Sequence, residues 1–167
     1  MTINNTDDRN DEPSELELSR FLPYRLSVVS NLVSRAFARR YETAFGLSIP
    51  EWRVMAVLGR YAPASSADIC QRTAMDKAKV SRAVTRLVAA GYVTRKDNPI
   101  DQRQNVLGLT RDGRRIYRQI VPLAFATERE VLEGLNAEEV AQLDQLLTKL
   151  HARAATLAPG EGGDAPD

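Results

Sequence analysis

Residues 76–113 hold the side chains best suited to ionic and hydrogen-bond chemistry on a polyanion. Lys77, Lys79, Arg82 and Arg86 follow one another at intervals of two to four residues, with Ser81 and Thr85 between them. Ammonium and hydroxyl groups suit phosphate, and a guanidinium can also bridge O6 and N7 of guanine. Further along, Arg95, Lys96 and Arg103 flank a run dense in turn formers that includes Asp101. A charged face is common on any solvated helix, so the helix alone decides nothing. A basic helix beside a basic hairpin is more telling, because the pair suits a duplex with one element per groove.

The basic helix needs an apolar side to hold it in place. At about 100° per residue, with Val80 set to zero, Val84, Leu87 and Val88 fall within roughly 80° of it. Arg82 and Arg86 fall roughly opposite, with Lys79, Ser81 and Thr85 flanking them. Asp76 is placed to cap this helix and Gly91 to end it. Tyr92 to Lys96 reads as a strand, and Val106 to Leu109 as its return.

Before this block, Leu18, Leu22, Leu26, Val29, Val33, Phe37, Tyr41 and Phe45 recur at three or four residues, predicting a helix from about Leu16 to Phe45. Pro23 marks a bend or a later start, and Gly46 a stop. Ser48 with Glu51 and Pro50 predicts a capped helix ending near Arg60 to Pro63. Ser65 with Asp68 opens a short helix, linked by Thr73 to Met75 to the basic helix. Two short helices so closely joined form a helix-turn-helix candidate. After the hairpin, Thr110 caps a helix containing Pro122, where a kink is expected. Asn136 with Glu139 opens a last helix carrying Val140, Leu143, Leu146, Leu147, Leu150, Ala154 and Leu157. The long terminal helices exceed what the middle block can cover, so their apolar stripes call for another surface, most simply a second copy of the chain.

Composition narrows the class. With 167 residues, 43% of them hydrophobic, the chain can bury a core. Net charge is only +1, but it is unevenly spread. Residues 76–103 carry seven cations against three acids, whereas residues 1–17 carry six acids against Arg9. The local field is what a polyanion would feel. One cysteine excludes an internal disulfide and a multi-cysteine zinc site. The polar, acidic start is not a signal peptide, and no stretch approaches the roughly 18 apolar residues of a membrane span. A soluble, cytoplasmic protein with no cofactor, no metal and no membrane partner is expected. No glycine-rich phosphate loop and no nucleophile–histidine arrangement suggests an enzyme, so no catalytic residue is assigned.

Asp101-Gln102-Arg103, then Leu109-Thr110 and Gly113, resemble the D-x-R…LT-x-x-G pattern of the MarR family of winged helix-turn-helix regulators. The likeness covers roughly residues 16–155, and the element order fits. It implies a mainly α fold with a small β-hairpin wing: a winged helix-turn-helix domain plus a helical dimerisation region. In those terms residues 1–13 are a disordered acidic tail and 14–47 an N-terminal dimerisation helix. Residues 48–110 are the DNA-binding lobe, 111–158 the C-terminal dimerisation helices, and 159–167 a disordered tail.

The resemblance further implies a homodimer that represses genes from a palindromic operator on double-stranded DNA and lets go when a small aromatic effector arrives. The IPEWRV and KAKVSRAV segments look most like the branch responding to phenolic acids or their coenzyme A thioesters. DNA contacts would come from Lys77, Lys79, Ser81, Arg82, Thr85, Arg86 and Arg95. Arg103 would enter the minor groove, oriented by Asp101. Effector contacts would come from Arg40, Tyr41, Trp52 and Arg53, although core packing competes for both aromatics. Cys70 reads as a buried small apolar residue rather than an oxidant sensor, and His151 has no second ligand near it. The rival reading is a winged-helix module that binds only protein.

Overall fold

The computed structural model describes residues 15–97 and 105–157. The terminal tails and the tip of the hairpin, including Asp101 and Arg103, lie outside the described residues. The element order is α1 (Leu22–Phe45), α2 (Ile49–Tyr61), α3 (Ser66–Thr73), α4 (Lys77–Ala89), β1 (Val93–Asp97), β2 (Asn105–Leu109), α5 (Arg111–Val131) and α6 (Ala137–Leu157). The fold is mainly helical with one antiparallel hairpin, as the patterning predicts.

Local chemistry sets most boundaries. Pro23 sits in the first turn of α1, so it delays the helix to Leu22 rather than bending one that starts at Leu16. Gly46, at φ 66°, closes that helix by donating its N–H to the Glu42 carbonyl at 2.8 Å. The Ser65 N–H donates to Asp68 Oδ2 at 2.8 Å while the Asp68 N–H donates to Ser65 Oγ at 3.1 Å, a reciprocal cap for α3. Asn136 and Glu139 repeat that exchange before α6. Thr73 still belongs to α3, which shortens the expected link by one residue. Ala74 then turns the chain with φ 52°, a left-handed angle that a residue with a β-carbon seldom adopts.

The chain divides into two compact units, Met1–Ile120 and Val121–Asp167. In the first, α2, α3 and α4 pack on one another, with α2 and α3 also against β2 and α4 against β1. Val54, Met55, Leu58, Ile69, Val80, Val84, Leu87 and Leu107 are fully buried there. Each such side chain contributes roughly 1.5–3 kcal/mol by leaving water, so this small core holds α4 firmly. The hairpin pairs Val93 with Leu109 and Arg95 with Leu107. Leu107 also exchanges both backbone hydrogen bonds with Ala64, at 2.9 and 3.2 Å, which ties the wing to the α2–α3 link.

In the second unit the end of α5 and all of α6 leave large apolar groups bare. Phe125, Val131, Leu143, Leu146, Leu147, Leu150 and Leu157 are exposed, and α6 has no buried residue. Within the first unit, Leu22, Tyr24, Leu26, Val29 and Leu32 of α1 are likewise exposed. α5 continues through Pro122 as one helix, with the two units dividing beside that residue.

Candidate nucleic-acid interface

α4 is fixed at its start by Asp76, whose Oδ1 accepts the Lys79 N–H at 2.7 Å. That backbone bond holds the Asp76 carboxyl below its usual 3.8, so it stays charged and offsets the positive end of the helix. The buried side consists of Val80, Ala83, Val84 and Leu87. Val88, expected on that side, is 40% exposed. Helical angle alone put it near the apolar stripe, but it lies at the edge where the core has ended, and Ala83 takes the buried place.

The opposite side is as the spacing predicts. Lys77, Lys79, Ser81, Arg82, Thr85 and Arg86 are all exposed. Lys79 Nζ lies 3.0 Å from Asp76 Oδ2, with both groups more than half exposed. Such a pair contributes little and leaves the ammonium available. Thr85 Oγ1 donates to the Ser81 carbonyl at 2.9 Å, so its oxygen remains free to accept. Arg86 Nη1 lies 3.8 Å from Glu51 Oε1 of α2. Arg82, Arg86, Lys79 and Glu51 border a cleft of about 280 Å³ at the start of α2.

Arg95 and Lys96 are exposed on β1. The root of the wing is well tied. Thr110 Oγ1 donates to the Gly91 carbonyl at 2.7 Å and accepts the Gly113 N–H at 3.0 Å. The Thr110 N–H donates to the Tyr92 carbonyl at 3.0 Å. These bonds give the LT-x-x-G segment a physical role: it seats the start of α5 on the hairpin's first strand.

A family model described as the MarR family matches residues 45–104, from the end of α1 to the tip of the wing. Over this lobe the chain is similar to the MarR family of winged-helix transcriptional regulators. Solved structures of the family agree along most of its length. A MarR/EmrR family regulator from Acinetobacter sp. ADP1 is 27% identical, with a TM-score of 0.78, covering 84% of this chain and 99% of the other. A mutant MarR from Escherichia coli, solved in complex with operator DNA, is 25% identical with a TM-score of 0.70, covering 81% and 99%. BpsR of Bordetella bronchiseptica, whose DNA binding is regulated by 6-hydroxynicotinic acid, is 25% identical with a TM-score of 0.73, covering 82% and 97%.

The four candidate effector residues sit on α1 and α2. Tyr41 is 1% exposed, and burial pushes its phenol up to about 12. It packs against Phe37 and Trp52, with ring centroids 4.7 and 5.8 Å away, and Trp52 stacks on Tyr117 at 5.9 Å. Both aromatics therefore serve packing. Arg53 Nη2 donates to Ser34 Oγ at 3.3 Å, and Arg40 is half-buried. A cleft of about 750 Å³ does open between α1 and α2, but its walls include Leu32, Arg35, Arg39, Glu42, Ile49 and Pro50 rather than any of those four.

Some features escaped the sequence reading. Glu51 was legible as a cap, but its approach to Arg86 was not. Arg111, Arg114, Arg115 and Arg118 border a shared groove on α5, and their helical spacing could have revealed it. Cys70 is half-buried against the core rather than fully enclosed. Among the described residues no helix is long and apolar enough to cross a membrane, and no cluster of three metal-binding side chains occurs.

Proposed function

We propose that this chain is a MarR-family regulator and a homodimeric repressor. Each subunit lays α4 in a major groove of a palindromic operator and its wing in the adjacent minor groove. The observation that carries the reading is the division of α4 into a fully buried side and an exposed side bearing Lys77, Lys79, Arg82 and Arg86. The E. coli relative in complex with operator DNA supports the same use of this lobe. Pairing of two chains through α1, α5 and α6 accounts for the bare apolar side chains there. Arg103 and Asp101 complete the wing contact, and Arg95 and Lys96 reach backbone phosphate.

A small aromatic acid, or its coenzyme A thioester, releases the DNA. BpsR, regulated by 6-hydroxynicotinic acid, supports the aromatic class. The α1–α2 cleft is large enough for such a ligand and offers Arg35 and Arg39 to a carboxylate.

Gel-shift titration against the promoter next to its own gene, across a salt series, tests the DNA reading. The eight helix cations of a dimer contribute about −7 to the slope of log K on log salt, and Arg95 and Lys96 steepen it further. Arg82→Ala lowers that slope by about two and Arg103→Ala weakens binding with the fold intact. Binding indifferent to salt would point to a protein partner instead. A thermal-shift screen with aromatic acids and their thioesters tests the effector; no stabilisation by any of them removes that part.

A further inference from the structure

The Glu51 carboxylate has two neighbours. Its Oε2 accepts the Ser48 N–H at 2.7 Å, closing the cap of α2. Its Oε1 lies 3.8 Å from Nη1 of Arg86, on the exposed side of α4. The two ends of this pair differ greatly, since the glutamate side chain is 8% exposed and the arginine 73%. The cap bond already fixes the carboxylate, so its end of the pair loses no further freedom. The arginine end is long, solvated and screened, and as a source of stability the pair is weak. Its consequence is directional. A fixed negative charge beside a mobile guanidinium narrows the directions that guanidinium takes.

We propose that Glu51 is a positioning residue that sets the DNA specificity of α4 by acting through Arg86. This rests on the DNA reading above. A guanidinium has five N–H donors in a fixed fork. With Nη1 turned to Glu51, its other donors stay free for a base edge in the direction the carboxylate sets. A phosphate lying elsewhere requires Arg86 to leave Glu51, and the carboxylate also repels that phosphate. Random duplex offers chiefly phosphates, whereas a cognate site offers the base edge. Glu51 therefore weakens non-specific binding and favours specific binding.

The test uses E51Q, which keeps an oxygen for the Ser48 N–H and removes the charge. Wild type, E51Q, R86A and the double variant are titrated against two duplexes. One is the best duplex the wild-type protein recovers from a randomised pool, and the other is a scrambled duplex of equal length. E51Q is expected to bind the scrambled duplex about threefold more tightly and to lose about tenfold in specific-to-scrambled ratio. In the R86A background the same substitution leaves the ratio unchanged. The thermal midpoint of E51Q stays near wild type, whereas a purely structural role would lower it and weaken both affinities together. An unchanged ratio in E51Q overturns the proposal, as does an equal loss without Arg86. R86K supplies a second variant should E51Q misfold. It keeps the charge without the fork, so the ratio must fall while scrambled binding holds, and a retained ratio overturns the proposal. A wild-type protein that recovers no duplex from the pool defeats the DNA reading itself, a result distinct from any of these.

Discussion

Gly113 lies against the carbonyl oxygen of Tyr92 so closely that a β-carbon has no room there. The obstruction is backbone, already engaged by the Thr110 N–H at 3.0 Å, so it cannot swing aside as a side chain would. Gly113→Ala must push the start of α5 off the hairpin. We expect a loss of about 2–3 kcal/mol in urea unfolding. A loss within error of zero would show that the contact relaxes freely.

Thr110 makes the same junction from the other side. Thr110→Val keeps the shape but removes the acceptor for the Gly113 N–H and the donor to the Gly91 carbonyl. The expected cost is about 1–2 kcal/mol. Thr110→Ser retains the hydroxyl and should recover most of it.

Two caps set the acid behaviour. Backbone N–H groups hold Asp68 and Asp76 below their usual 3.8, that of Ser65 for the first and that of Lys79 for the second. A depressed folded value means the unfolded chain binds protons first as pH falls. The stabilisation is complete above 3.8 and drains as pH drops through the lower folded values. Asp68→Asn with Asp76→Asn keeps two cap acceptors and should flatten the acid limb of a thermal midpoint series. An unchanged acid limb would mean other carboxylates govern it.

Tyr41 works in the opposite range. Its phenol rises from 10.0 to about 12, chiefly through burial. The native state therefore keeps a proton that the unfolded chain releases, and stability falls as pH climbs from 10 towards 12. Relative to Tyr41→Phe, wild type should lose stability across that window, with its phenolate absorbance appearing late. Phenolate appearing at the ordinary value in the folded protein would contradict this.

The leucines of α6 carry the prediction about assembly. Leu146→Glu with Leu150→Glu places charge on a bare apolar stripe without removing any buried residue of that helix. Wild type should sediment as a dimer and the variant as a monomer at the same concentration. Sedimentation of the variant with wild type would move the interface elsewhere.

Which features the sequence disclosed follows from the range of the forces involved. Caps such as Ser65 with Asp68 were legible because both partners lie within one turn. The exposed cations of α4 were legible because helical angle separates them from Val80 and Leu87. The start of α1 was blurred, because its apolar period runs unbroken across Pro23. Val88 was misplaced because an angle gives direction but not the extent of the neighbouring core. The approach of Glu51 to Arg86 was hidden because it joins two helices far apart in sequence. The α1–α2 cleft escaped for the same reason: its walls meet only after folding.

The bend at Ala74 bears on readiness. A methyl group kept at φ 52° opposes the conformation, at a cost of about 1 kcal/mol. Glycine would ease it and also admit many other bends. By using alanine, the chain accepts some tension in exchange for a stiff elbow, and the angle between α3 and α4 is settled in advance of any encounter.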